Sequence, residues 1–309
     1  MVTIGTWNLE NLFRPGSEAG PDSDAEYEAK LAALAGTIGE IAPDVLAVQE
    51  VGDPEALDDL VGKLDGRWHT ALAEPDQRGI RVGFLARSET RGLDQVSEFA
   101  KELAPVRVDD DGDTVDSMGR PALRADITAD GLELTLLSCH LKSKLLTYPG
   151  GRFQPRDEAE RARYAVYALN RRAAESATVR DAATELLDGK RPLVVLGDLN
   201  DDEHAATTTL LHGPPGSELG TPGFDRPDAG DQARLWNLAT LIPEDRRHSR
   251  TYNGRPELID HIMVSHALVR RVGEVTTIDV KAGSVTDNPR DRKGKAGSDH
   301  RPVVARLNA

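Results

Sequence analysis

The chain of 309 residues has a single cysteine, Cys139, so no disulfide can form within it. That usage suits a reducing compartment. Aromatic residues are scarce, at 4%, which leaves little material for a groove that stacks unpaired bases. No apolar run approaches the roughly 20 residues needed to cross a bilayer. The opening "MVTIGTWNLENLF" lacks the charged start and long apolar stretch of a secretory signal, and it already reads as a strand. These absences predict a cytoplasmic protein without a membrane span, and no protein partner is evident. Two common catalytic motifs are also missing: a phosphate-cradling Gly-Lys-Ser loop and a Gly-x-Ser-x-Gly elbow. Positive charge is in deficit, with 38 Lys and Arg against 52 Asp and Glu, for a net -14. A stable duplex binder usually carries a basic face, so this balance counts mildly against tight non-specific DNA binding. It is compatible with nuclease chemistry, because an acidic metal site adds negative charge of its own.

What is present is an ordinary globular core, 39% hydrophobic. Strand signals recur at Val2 to Trp7, Val45 to Gln49, Val82 to Leu85, Leu123 to Ile127, Leu132 to His140, Leu193 to Leu196, Leu258 to Val264 and Pro302 to Arg306. Helical spacing appears over Tyr27 to Ile41 and over Arg156 to Leu187. Strands and helices mixed along the whole chain predict an α/β layered fold, in one domain over residues 1–309. Residues 212–231, "HGPPGSELGTPGFDRPDAGD", read as a long surface loop, and residues 281–300 as a second polar loop with a basic middle. "DDDGDTVD" fits a calcium loop poorly and reads as an acidic hairpin turn, because Thr114 stands where the turn glycine belongs and Arg120 where the closing glutamate belongs.

Chemistry concentrates at strand ends. In "GTWNLEN", Asn8 and Glu10 are two apart and can share a side, as oxygen ligands for a hard cation or as a plain polar turn. In "DVLAVQEV", an apolar strand ends at Glu50, a metal ligand or a neighbour of a helix cap. In "PLVVLGDLND", Asp198 and Asn200 share a side while Leu199 faces away. One can take a proton from water and the other can donate to a phosphate oxygen, or the pair can mark a strand-to-turn junction. "PELIDHIMVSH" puts Asp260 in an apolar strand, where a carboxylate needs a partner. "GSDHRPV" supplies Asp299 and His300, and a pairing of Asp260 with His300 through space would fix the imidazole tautomer. "TLLSCHLKSK" ends a strand at Cys139 and His140, which would face opposite ways. That makes Cys139 a packed thiol.

Taken in order, "TWNLEN", "QE", "SCHLKS", "GDLND", "LIDHIMVS" and "SDHRPV" resemble the endonuclease/exonuclease/phosphatase superfamily, from residue 6 to residue 303. Each motif alone is weak, and six in order are specific to the superfamily though not to a substrate. The resemblance implies a four-layer α/β/β/α sandwich, two packed, mostly antiparallel sheets flanked by helices, of the deoxyribonuclease-I-like kind. It implies a Mg²⁺ site (Mn²⁺ or Ca²⁺ as alternatives) at Asn8 and Glu50, with Glu10 and Asp299 as further acidic residues. It makes Asp198 the residue that activates water, Asn200 a phosphate ligand, Asp260 and His300 a carboxylate–histidine pair, and His140 the second histidine. Arg120 and Lys142 become phosphate-binding candidates, with Arg78 and Arg81 within reach. A histidine at position 140 sets the chain apart from the abasic-site endonucleases and toward the deoxyribonuclease and sphingomyelinase side. The glutamate that partners the first histidine in deoxyribonuclease I has no clear counterpart here.

The expected activity is metal-dependent phosphodiester hydrolysis with nucleic acid as substrate, DNA favoured. Basic clusters at Lys142 and Lys144, at Arg171 and Arg172, and from Arg290 to Lys295 motivate it. The alternatives are a phosphoesterase for a small or lipid head-group phosphate, of phosphoinositide or sphingomyelin type, and a non-catalytic interaction module.

Overall fold

The computed structural model describes all residues except 188–190, 222, 223, 225, 287 and 309, and omits the side chains of 289 and 290. Parts of both expected loops, and the Arg290 side chain of the basic run, therefore lie outside the described residues.

The strands are, in chain order, β1 (Val2–Leu12), β2 (Val45–Val51), β3 (His69–Leu72), β4 (Arg81–Ala86), β5 (Arg91–Glu98), β6 (Val106–Arg107), β7 (Thr114–Val115), β8 (Ser117–Ala129), β9 (Leu132–His140), β10 (Leu193–Asp198), β11 (Leu235–Asn237), β12 (Arg250–Tyr252), β13 (Arg255–Glu257), β14 (Asp260–Ser265), β15 (Val272–Thr277) and β16 (Val303–Leu307). The helices are α1 (Asp24–Ile41), α2 (Pro54–Val61), α3 (Glu158–Leu187), α4 (Ala206–His212) and α5 (His266–Val269). Two six-stranded sheets form, in the orders β15-β16-β1-β2-β4-β3 and β11-β14-β10-β9-β8-β5. Among the described residues, only the pairs β1–β2 and β9–β10 are parallel in the ladders of these sheets. β6 and β7 form the acidic hairpin, whose turn is held by Asp109 Oδ1 accepting from the Gly112 and Asp113 N–H groups.

Three apolar layers define the sandwich. Between the sheets, Val2, Ile4, Val45, Ala47 and Phe84 meet Leu134, Leu136, Val194, Leu196 and Ile262. Outside the first sheet, Tyr27, Leu31, Leu34 and Ile38 of α1 and Leu57 and Leu60 of α2 cover Trp7, Leu46, Val48 and Leu85. Outside the second, Ala174, Val179 and Ala183 of α3 and Leu211 of α4 cover Leu137, Cys139, Leu193, Val195 and Met263. The result is the expected α/β/β/α layering. Alternation with period two assigns the residues of the regular strand segments to the inner or the outer layer. Among the described residues, no helix is long and apolar enough to cross a membrane.

Candidate active site

The same alternation positions the chemical residues. On β10, Val194 and Leu196 face the other sheet, so Asp198 does too. On β9, Leu134 and Leu136 bring His140 to that face, and on β14, Ile262 and Val264 bring Asp260. Register then aligns them: Asp198 pairs with His140 on one side and with Asp260 on the other. Three titratable side chains thus stand in a row across three strands. From the first sheet, Ile4 and Val2 set the parity that points Asn8 inward to meet them.

Two residues break parity. Glu50 belongs by count to the outer layer with Leu46 and Val48, but its backbone is left-handed (φ 59°). That turns its carboxylate to Asn8, whose Nδ2 donates to Glu50 Oε1 at 3.1 Å. Glu10 also has positive φ (51°), and it lies with Arg292 rather than in the row.

At the centre, Asn8 Nδ2 also donates to Asp198 Oδ2 at 3.0 Å, while Asn8 Oδ1 accepts from the Glu10 N–H at 2.9 Å. The amide therefore bridges two acids through its NH₂. Asp198 Oδ2 lies 3.5 Å from His140 Nε2 and 3.9 Å from His300 Nε2. His300 reaches the row from the loop before β16, with its Nδ1 2.7 Å from Asp260 Oδ2. Its backbone is held by Trp7 Nε1 donating to its carbonyl at 2.8 Å and by Ser298 Oγ accepting from its N–H at 3.0 Å. The carboxylate–histidine pair expected between Asp260 and His300 is thus formed in space. Among the described residues, His140 Nδ1 is buried without a hydrogen bond.

Burial and charge push these groups apart. Burial and then the nearby Asp260 charge raise Asp198 to about 7. For His300, burial alone would lower the pKa, but the charges of Asp260, Asp299 and Asp198, with the Asp260 hydrogen bond, raise it to about 10. His140 goes the other way: burial, followed by Arg120, His300, Arg78 and Lys142, holds it well below the usual histidine range. One carboxylate is poised near neutrality between a charged and a neutral imidazole.

The remaining candidates are placed less directly. Asn200, in a left-handed conformation (φ 54°), donates its N–H to Asp198 Oδ1 at 2.9 Å and its side-chain amide to the Leu141 carbonyl at 3.0 Å. Arg120 clamps the end of β9, donating to the carbonyls of His140 and Leu141, and pairs with Asp76 at 3.2 Å. The Lys142 ammonium turns into its own loop, onto the carbonyls of Ser143 and Leu145. Arg81 is pinned to the carbonyls of Gly52 and Gly79, whereas the exposed Arg78 reaches Asn11 Oδ1 at 3.4 Å. The basic clusters are largely paired internally: Lys144 and Arg172 with Asp201, Arg171 with Glu175, Lys293 with Asp22.

Several supporting residues escaped the sequence reading. Glu175, buried on α3, accepts from the N–H groups of Gly119 and Lys142 and so ties the helix to the strand ends around His140. Lys30, buried on α1, donates to the Gly297 carbonyl and places its charge near Glu10, Asp299 and Glu50. Arg292 holds both oxygens of Glu10, at 3.0 and 2.8 Å. The only signal for Glu175 and Lys30 was a charged residue on the apolar stripe of a helix.

The donor set fits a hard cation. Glu50 Oε1 lies 4.0 Å from His140 Nε2, Asp299 Oδ1 lies 4.0 Å from His300 Nε2, and Glu10 Oε2 accepts from the Asp299 N–H at 2.9 Å. Oxygen ligands gather without sulfur, because Cys139 faces the outer layer and burial pushes its thiol up. Asp198, Asp260 and His300 also bring one ligand atom each within 4.8 Å of one another. Within that trio His300 Nδ1 already lies 2.7 Å from Asp260 Oδ2, the spacing of an acid–base pair.

Among curated proteins, none matches this chain. Solved structures do. The truncated TDP2 of Caenorhabditis elegans is 17% identical, with TM-score 0.58, covering 100% of this chain and 97% of that one. The mannosyl-6-phosphatase Bt3783 of Bacteroides thetaiotaomicron is 15% identical, with TM-score 0.59 and full coverage of both chains. An AP endonuclease from Archaeoglobus fulgidus is 14% identical, with TM-score 0.56, again with full coverage of both. At such identities the likeness concerns the fold, which is the expected deoxyribonuclease-I-like sandwich. Residues 5–300 match a family described as Endonuclease/Exonuclease/phosphatase, and with nearly its whole length so matched the chain belongs to that family.

Proposed function

We propose that the chain is a metal-dependent phosphodiesterase, and more narrowly a Mg²⁺-dependent nuclease that hydrolyses nucleic acid, DNA foremost, as one catalytic domain. The observation that carries this reading is the Asp198 carboxylate, with one oxygen 3.0 Å from Asn8, 3.5 Å from His140 and 3.9 Å from the Asp260-paired His300. A base flanked by two imidazoles suits attack of water on a phosphodiester, where charge builds on the phosphoryl oxygens.

Asp198 accepts the proton of the attacking water, which the Asn8 NH₂ and the Asn200 N–H help it do by fixing the carboxylate plane. His300, charged because Asp260 holds its Nδ1–H, donates from Nε2 to a phosphoryl oxygen. His140, neutral, hydrogen-bonds from Nε2 to another phosphoryl oxygen or to the departing oxygen, which takes its proton from water as the bond to phosphorus breaks. Arg120 and Asn200 hold the chain at the His140 and Leu141 carbonyls, and in this reading both serve the phosphate. A divalent cation held by Glu50, Glu10 and Asp299, beside Asn8, would supply charge neutralisation on the phosphate.

A second reading is a phosphoesterase for a small phosphorylated molecule. The internal pairing of Lys144, Arg171 and Arg172 favours it, and so does the likeness to a protein named as a mannosyl-6-phosphatase. Plasmid DNA, single-stranded DNA, RNA, sugar monophosphates and phosphoinositides, each incubated with Mg²⁺, Mn²⁺, Ca²⁺ or EDTA, separate the two. The nuclease reading expects Mg²⁺-dependent cleavage of DNA. Intact nucleic acids beside a hydrolysed monoester would replace it with the second.

A further inference from the structure

The three carboxylates at the cation end of the candidate site are not equivalent. Glu10 is held at both oxygens. Its Oε1 accepts from Arg292 Nε at 3.0 Å, and its Oε2 accepts from Arg292 Nη2 at 2.8 Å and from the Asp299 N–H at 2.9 Å. A two-point guanidinium–carboxylate contact is among the strongest and most directional of charged pairs. Asp299 has a looser counter-ion. Among the described residues, Arg250 Nε makes no hydrogen bond, but it lies 3.4 Å from Asp299 Oδ2. A backbone bridge between Arg250 and His300 keeps that arginine beside Asp299.

Glu50 differs from both. It accepts from Asn8 Nδ2 and from the Asn11 N–H, which are neutral donors. Its contact with a titratable donor is His140 Nε2 at 4.0 Å, on the imidazole held neutral. Among the described residues, no lysine or arginine forms an ion pair with Glu50. Lys30, buried on α1, does not change this ranking. Its ammonium donates to the Gly297 carbonyl at 2.8 Å, and its charge bears on Glu10 and Asp299 ahead of Glu50.

The segment that delivers Arg292 is fastened to the end of β1. Ser298 Oγ donates to the Asn8 carbonyl at 2.6 Å, and the Asp299 N–H reaches Glu10. Arg292 therefore belongs to the site, although it comes from a basic run that the sequence reading turned toward nucleic acid. The charge balance has a consequence for cation binding. Three carboxylates less two guanidiniums leave one net negative charge, and it lies at Glu50. Two divalent cations about 3.5–4 Å apart, as in two-metal sites, need more anionic charge than that to offset their mutual repulsion.

We propose that Arg292, seconded by Arg250, is a built-in counter-ion that restricts this end of the site to a single divalent cation anchored on Glu50. The proposal rests on the metal-dependent reading above. Glu10 and Asp299 complete the oxygen shell as carboxylates whose charge is already matched. Arg292 also fixes the plane of Glu10, whose left-handed backbone (φ 51°) takes it out of the strand's alternation. Arg292 is thus a positioning residue with a definite sign: its charge weakens cation binding and limits the number bound.

The test counts Mn²⁺ bound per full-length chain, from the loss of the free-ion electron paramagnetic resonance signal. The wild type is expected to bind one ion. Arg292→Gln is expected to bind it about tenfold more tightly, or to take up a second. Arg292→Lys, which keeps the charge, is expected to bind as the wild type does, and Glu50→Gln at least about tenfold more weakly. A role confined to holding the loop would instead weaken binding in Arg292→Gln. Two ions on the wild type, unchanged or weaker binding in Arg292→Gln, or undiminished binding in Glu50→Gln would overturn the proposal. Should Arg292→Gln fail to fold by circular dichroism, Arg250→Gln carries the same test. Tighter binding there supports the proposal, and unchanged or weaker binding overturns it. DNA left uncut in Mg²⁺ by a wild type with the expected Mn²⁺ pattern would remove the nuclease reading and leave this proposal standing. DNA cut by a wild type whose Arg292→Gln variant binds Mn²⁺ unchanged would do the reverse.

Discussion

Asp198 and His300 are 3.9 Å apart and are driven above their ordinary ranges for different reasons. Burial makes the Asp198 anion costly and lifts it to about 7. The surrounding carboxylates, Asp260 first, make the His300 cation favourable and lift it to about 10. A base must be deprotonated and a donor cation protonated for the proposed reaction. kcat/KM should therefore rise with pH through about 7 and fall through about 10. Asp260→Asn removes the leading source of the His300 shift, so its descending limb should move down toward neutral pH. A pH–rate profile of both proteins checks this, and a limb that stays in place would remove His300 from its role. Residue identities were the most legible part of the site, because Asp198, Asp260 and His140 sit at the ends of apolar strands within the ordered motifs. Glu50 and Glu10 were legible as candidates but not in their placement, since their left-handed backbones override alternation. The roles of Glu175, Lys30 and Arg292 were not legible, because their partners are distant in sequence.

At the scale of elements, the site depends on strand ends held at close approach. Gly197 precedes Asp198 with φ 148°, and a Cβ there would lie 1.9 Å from the Cys139 carbonyl oxygen of the neighbouring strand. Gly197→Ala must push β9 and β10 apart between His140 and Asp198, and is expected to cost about 3 kcal/mol or more. Denaturant unfolding measures this, and a stability within about 0.5 kcal/mol of wild type would contradict the close approach. The strands that could be read in advance are those with a buried apolar face. β9 falls on Leu132 to His140 as expected, and β1, β2, β4, β8 and β10 run a few residues beyond their predicted ends. β5 is almost wholly exposed and β11 has only three residues, so neither carries a hydrophobic period. The short α2 was also invisible at that level; Asp53 and Pro54 at its start were its only signal.

At the scale of the molecule, the centre is assembled from both sheets. Asn8 and Glu50 come from one, His140, Asp198 and Asp260 from the other, and His300 from the loop that leads back into the first. The order of motifs along the chain revealed the fold for this reason: each marks a strand end at the same edge of the sandwich. Charge was less informative. The net of -14 coexists with a site ringed by acids, and the basic residues near it serve mainly as ties within the fold. The most direct test of the central claim is hydrolysis of a 5′-labelled DNA duplex by the wild-type chain and by Asp198→Asn, in Mg²⁺ and in EDTA. The account predicts cleavage by the wild type in Mg²⁺ alone and a rate at least about a hundredfold lower in Asp198→Asn, whose fold persists by circular dichroism. Equal rates in the two proteins, or cleavage undiminished by EDTA, would contradict it.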